Sequence, residues 1–403
     1  MMTTLQNGLR IVVVPHPSEV VYCGYVVCAG TRNEAAEDFG LAHFIEHLSF
    51  KGTERRRAWH INNYLERVGG DLNAFTNKQE TVYHATVLRQ DFARAADLLT
   101  DIVFHSQYPE AELHREAEVV CDEIDSYEDS PAERIFDEFE ALLFDGHPLG
   151  RDILGTKKRV RAYRRADAQR FTRCWYTPDN AVFFCLGNVE EKAVVRRIER
   201  LTSDLSASVM ERVAQPLPPY RPQRVERHRD THQAHVILGN RAQGGHSEAR
   251  FAVSLLSNIL GGPGMNSRLT ARLREKAGLV YTADSYIYMY PDVGVWEVYF
   301  GCDKADVNRC LHLVRHELKR FVDERLTPAR LKAAKSQFIG QIGIGEANLE
   351  SLALTYGKTL AHYDTLHNPA LLRERIAALS AAELQAAAAE LFAPEQISTL
   401  IYD

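Results

Sequence analysis

Residues 43 to 47 read HFIEH, two histidines four positions apart with a glutamate just before the second. On a helix, at about 100° per residue, positions four apart share a face. His43, Glu46 and His47 then lie together, while Leu41, Phe44, Ile45 and Leu48 gather nearly opposite them. Two imidazoles that converge on one point, over an apolar stripe that anchors their helix, are suited to holding a metal ion. A solvated amphipathic helix has the same pattern, so the spacing leaves both readings open. Zinc that activates water takes three protein ligands and keeps one position free. The metal reading therefore requires a third donor on another element.

The segment FGLAHFIEHLSFK is expected to be a helix of about three turns, with Asp38 as its N-cap and Gly52 as its stop. The third donor is sought in PEAELHREAEVVCDEIDSYEDS, a helix opened by Pro109 and ended near Ser130, after which SPAE begins the next helix as a capping box. Glu116 and Glu123 are seven apart here and share a face. They can be donors or part of a solvated acidic stripe.

An internal repeat separates these readings. TVYHATVLRQDFARAADLLTDIVFH from Thr81 and VWEVYFGCDKADVNRCLHLVRHELKRF from Val295 each read as an alternating strand followed by an amphipathic helix. Each is followed by a helix with proline at its start, Pro109 and Pro328. Aligning Leu113 with Leu331 sets Ala334 and Gln341 against Glu116 and Glu123, and RFAVSLLSNILGG contains no histidine or glutamate. The acids and imidazoles occur together in one half and are missing together from the other, as expected of a site. The proline-rich stretch around Pro216, Pro218, Pro219 and Pro222 reads as an extended linker. The expected organisation is two α+β domains of one fold, residues 1–212 with the candidate metal site and 225–403, joined by a linker at 213–224.

Composition narrows the function classes. The formal charge of −6, with Lys and Arg scattered along the chain, gives no basic footprint for nucleic acid or for a membrane surface. No run approaches the roughly 18 apolar residues of a membrane span, and MMTTLQNGLRIVVVPHP lacks the pattern of a signal peptide, so a cytoplasmic location is expected. The seven cysteines include no C-x-x-C pair and read as buried thiols with a packing role.

Laid out in order, LQNGLRIVVVPHP, GTRNE, GLAHFIEHLSFKGT, GGDLNAFTNKQETVYHA, HPLGRDILGT, YTPDNAVFFCLGNV and RLREKAGLVYTADSY resemble the pitrilysin-type inverzincin zinc metallopeptidases. The resemblance is especially to the short bacterial members similar to the β subunit of mitochondrial processing peptidase. The resemblance implies two homologous α/β-sandwich domains, each a mainly antiparallel sheet packed with helices. It implies zinc held by His43, His47 and Glu123, Glu46 as general base, and Glu116 as a supporting acid. It also implies that Arg274 and Tyr281 act at the zinc of a facing domain, and that Asn73, Ala74, Phe75 and Thr76 bind an extended peptide by strand addition.

The resemblance departs at GGPGMNSRL, which is short where processing peptidases carry a long glycine-rich loop on a noncatalytic subunit. A homodimer acting on peptides or unfolded polypeptide is therefore expected. A heterodimer with a paralogous chain, and a noncatalytic scaffold or peptide-binding subunit, stay open as alternatives.

Overall fold

The structure is a computed structural model and describes residues 1–208, 212 and 215–403. Among the described residues eleven strands form two sheets. In the first, β1 (Met2–Thr4), β2 (Arg10–Pro15), β3 (Val20–Val27), β4 (Asp71–Thr76), β5 (Thr81–Leu88) and β6 (Ala181–Gly187) lie in the order β1-β2-β6-β3-β5-β4. In the second, β7 (Arg224–Arg227), β8 (Ala234–Gln243), β9 (Val280–Met289), β10 (Val293–Cys302) and β11 (Ser398–Tyr402) lie in the order β7-β11-β8-β10-β9. Each sheet has a single parallel pair, β2 with β6 and β7 with β11, and is otherwise antiparallel. The fold class is α+β, two sheets each packed with helices. The strand–helix–helix repeat is present as β5, Phe92–Phe104 and Glu110–Glu128 in one half and β10, Val307–Asp323 and Pro328–Gly345 in the other.

The chain forms two compact units. The first comprises Met1–Ser126, Arg151–Pro216 and Gly345–His367, and the second Tyr127–Gly150, Leu217–Ile344 and Asn368–Asp403. This differs from a cut at the linker alone, because each unit takes one helix from the opposite half of the sequence. Part of the expected linker, residues 213 and 214, lies outside the described residues.

Burial explains the exchange. In the first unit one sheet face packs on Leu41–Ser49 and Phe92–Phe104. The other face, with Val12, Val26, Val82, Val182, Phe184 and Leu186, is covered by Ala353 and Leu360 of the helix Leu349–Tyr363. Gly357 of that helix lies so close to the sheet that a Cβ would come within 2.6 Å of the Phe184 ring. With both faces covered, β6 is buried along its whole length, which is why AVFFCLG reads as a continuous apolar run. The second unit has the same design. Leu256, Leu311 and Leu318 pack on one sheet face, and Ile135, Phe139 and Leu143 of the helix Pro131–Leu143 cover Ile237, Val295 and Leu400 on the other. At its start the Ser130 hydroxyl makes no capping bond, contrary to the expected capping box. The Ser130 carbonyl instead receives the N–H groups of Glu133 and Arg134.

All seven cysteines are free thiols, five buried and two, Cys28 and Cys174, partly so.

Candidate metal centre

The helix that carries the two histidines spans Leu41–Ser49 and buries Leu41, Phe44, Ile45 and Leu48 in the core of the first unit. Its start differs from expectation. Asp38 does not cap it; its carboxylate pairs with Arg170. The N-cap is Gly40, at φ 86°, a left-handed conformation that glycine adopts without strain. The free N–H groups of Gly40 and Ala42 are met by the buried carboxylate of Glu34, at 3.0 and 2.8 Å. Arg151 donates to the Glu34 carbonyl at 3.1 Å. Burial pushes the Glu34 carboxyl up to about 8, against the two N–H donors and Arg151.

One face of this helix meets the helix Glu110–Glu128, which buries Leu113, Ala117, Val120 and Ile124. His43 Nε2 lies 3.7 Å from one Glu123 oxygen and His47 Nε2 lies 3.5 Å from the other. One ligand atom from each of His43, His47 and Glu123 falls within 4.8 Å of the others. Glu116, two turns away and buried, receives the other ring N–H of His47, from Nδ1, at 2.9 Å. Its second oxygen takes the Lys51 ammonium at 2.7 Å. His43 Nδ1 is buried with no hydrogen-bond partner. Glu46 sits between the histidines in sequence, and Thr76 at the end of β4 donates to its Oε2 at 2.5 Å.

The electrostatics divide the two imidazoles. Burial, then the neighbouring His47, pulls His43 down to about 4, although Glu123 opposes. Burial also acts to lower His47, but the hydrogen bonds to Glu116 and Glu123 outweigh it and raise His47 to about 9. Burial raises Glu46 above the usual carboxylate range against the Thr76 hydroxyl. Hydrogen bonding to His47 lowers Glu123, and in Glu116 the contacts to His47 and Lys51 outweigh burial.

The donor set fits zinc. Two imidazoles and one carboxylate are a ligand combination of catalytic zinc sites, and imidazole favours zinc over calcium or magnesium. A ligating histidine normally gives its second N–H to a carboxylate or carbonyl that fixes its tautomer, and Glu116 does this for His47. Because metal uptake requires neutral imidazoles, binding at this cluster would release the proton that His47 otherwise holds.

The remaining sequence candidates fall into two groups. Asn73, Ala74, Phe75 and Thr76 lie on β4, the outermost strand of the six-stranded sheet, in register with His84, Tyr83, Val82 and Thr81 of β5. Arg274 and Tyr281 belong to the second unit. Arg274 is on the π-helical segment Thr270–Lys276 and pairs with Glu275 at 2.9 Å, and Tyr281 is on the edge strand β9 and 84% exposed. Two contributors were not assigned roles from the sequence, Glu34 as helix cap and Lys51 as counter-charge to Glu116, and Thr76, expected only to bind peptide, also donates its hydroxyl to Glu46. Lys51 could have been found, since it stands four residues after His47 and so on the same face; the reach of Glu34 back to the helix start depends on the loop's path.

The chain is similar to known proteins along most of its length. Residues 10–157 match Insulinase (Peptidase family M16), and residues 163–338 match the Peptidase M16 inactive domain. An uncharacterized zinc protease of Streptomyces coelicolor is 36% identical over 366 residues, covering 89% of this chain and 79% of that protein. One of Bacillus subtilis is 32% identical, covering 88% of this chain and 86% of that protein. In fold, a protease from Helicobacter pylori superposes with a TM-score of 0.91 at 24% identity, covering 100% of this chain and 99% of the other. A peptidase M16 inactive domain from Pseudomonas fluorescens superposes with a TM-score of 0.92 at 17% identity, covering 100% and 97%. With the zinc proteases matched along most of their length, this chain belongs to peptidase family M16.

Proposed function

We propose that the protein is a zinc-dependent endopeptidase or oligopeptidase that hydrolyses extended or unfolded peptides, with zinc held by His43, His47 and Glu123. The observation that carries this reading is the convergence of those three donors beside Glu46, with Glu116 holding the far nitrogen of His47. Bound zinc supplies Lewis acidity and brings the pKa of a water ligand towards neutrality. Glu46 takes a proton on Oε1, the oxygen that Thr76 does not engage, and returns it to the leaving amine. Glu116 keeps the His47 ring in the tautomer that presents Nε2. The free edge of β4 at Asn73, Ala74, Phe75 and Thr76 pairs with the main chain of an extended peptide. Tyr281 donates a hydrogen bond to the oxyanion of the attacked carbonyl and Arg274 holds the substrate backbone, both serving the zinc of a second copy in a two-fold homodimer. Among the described residues no helix is long and apolar enough to cross a membrane, and a cytoplasmic site of action is part of the proposal.

The match of residues 163–338 to a domain described as inactive favours a second reading, a noncatalytic peptide-binding or scaffold subunit or one half of a heterodimer. One experiment separates the two. Zinc-loaded protein is incubated with a mixed peptide library, with and without chelator, beside the Glu46→Gln variant. The peptidase reading expects chelator-sensitive cleavage, with Glu46→Gln keeping its zinc and losing about 100- to 10,000-fold in rate. Near-normal cleavage by Glu46→Gln refutes the assignment of the base. Zinc binding without cleavage of any peptide by the unmodified protein favours the noncatalytic reading.

A further inference from the structure

In the order of elements, the helices Ala249–Gly261 and Pro328–Gly345 of the second unit correspond to the histidine helix and the Glu116/Glu123 helix of the first. Where the first unit has metal donors, Asn258 here donates to Gln341 at 2.7 Å. Beside this pair opens a cavity of about 400 Å³, lined by Arg268, Arg272, Lys276, Arg320, Arg330 and one acid, Glu317. That volume lies in the range of roughly 300–1,000 Å³ common to small-molecule sites.

The charges in this cavity are not balanced from within the unit. Glu317 is buried and contacts Arg320 at 3.3 Å and Arg268 at 3.9 Å, while Arg320 turns its other nitrogen to Glu324. Arg268 Nη1 and Arg272 Nε are buried without a hydrogen-bond acceptor. The Arg268 guanidinium is held over the Phe321 ring at 3.8 Å, so its position is set before any ligand arrives. Burial keeps Arg268 below the ordinary guanidinium range, and Arg320 and Arg330 add to this against Glu317. The rim is ordered as well, with Asn266 and Gln337 exchanging hydrogen bonds at 2.9 and 3.1 Å. Buried guanidinium groups with unused donors cost free energy unless an anion completes them.

We propose that this cavity is a binding site for a small ligand carrying two or more phosphate groups. Five cations face Glu317, with Glu324 just outside the lining on Arg320, and a phosphate monoester carries about −1.5 to −2 at neutral pH, so two such groups balance the excess of about three where one does not. Guanidinium forks match phosphate oxygens in pairs, and four of the five cations are arginine. The site is independent of the zinc centre and of the peptidase reading.

The test is calorimetric titration of the zinc-loaded full-length protein with pyrophosphate, with citrate as the carboxylate comparator, repeated in His43→Ala to remove any binding at the metal. The proposal expects saturable binding of about one pyrophosphate per chain, unchanged in His43→Ala and weakened at least about tenfold in Arg272→Gln/Arg330→Gln. Lys276→Gln, a milder change, should weaken it by a smaller factor and stands in if the double variant fails to fold. Absence of saturable binding up to about 10 mM overturns the proposal. So does binding that disappears in His43→Ala, binding unaffected by the cavity variants, or tighter binding of citrate than of pyrophosphate.

Discussion

Glu80→Gln should cost the first unit roughly 3 kcal/mol near neutral pH, and that cost should fade in acid. Glu80 is 3% exposed and closes the turn between β4 and β5, where its Oε1 accepts from Asn77 at 2.9 Å. The same oxygen takes Lys358 at 2.9 Å and the other takes His362, both on the helix Leu349–Tyr363. One carboxylate thus ties a helix from the far end of the sequence to the strand proposed to receive substrate. Burial acts to raise its pKa, but the hydrogen bond and charge of His362 and the charge of Lys358 outweigh burial and bring it from 4.5 to about 2. At about 1.4 kcal/mol per tenfold change in proton affinity, this displacement amounts to roughly 3 kcal/mol. The folded pKa lies below the unfolded one, so the stabilisation is fully present above about pH 4.5 and is lost as pH falls towards 2. Urea unfolding followed by hydrogen exchange of β5 and of Leu349–Tyr363 reads this unit by itself. The gap between wild type and Glu80→Gln should be widest at about pH 5 to 6 and narrow below about 4.5. A gap under about 0.5 kcal/mol at pH 7, or one that persists unchanged to pH 3, would refute the reasoning.

Further outcomes follow from the same contacts. Glu116→Gln should retain the fold and weaken zinc about 10- to 100-fold, measured by competition with a chromogenic chelator, because the amide holds His47 Nδ1 less firmly. Gly357→Ala should destabilise the first unit by about 1–2 kcal/mol in urea unfolding, since crowding against the buried Phe184 ring exceeds the roughly 1 kcal/mol of helix propensity that alanine adds. If the active form is the proposed homodimer, Glu46→Gln and Arg274→Ala should each be nearly inactive, and subunit exchange between them should restore about a quarter of wild-type activity, because half the dimers are mixed and each holds one intact site. No recovery after demonstrated exchange would place the two lesions in a site of different construction.

The sequence by itself determined the local facts. The spacing of HFIEH puts two imidazoles and a carboxylate on the face opposite Leu41, Phe44, Ile45 and Leu48, and that apolar stripe packs in the core of the first unit. The strand–helix–helix repeat is equally local, because periods of about two and 3.6 residues are written into each segment. Spacing alone treats Glu116 and Glu123 as equals. Only the packing of two helices sets Glu123 near both Nε2 atoms and Glu116 on Nδ1 of His47. The helix cap shows the same limit: Asp38 stands where a cap is expected, yet Glu34 reaches the free N–H groups because the intervening loop folds back. The stripe Ile135, Phe139 and Leu143 likewise shows that its helix must bury one face, but not that it covers the sheet of the second unit. Apolar burial is non-directional, so periodicity specifies which face leaves water and the tertiary fold alone selects the surface that receives it.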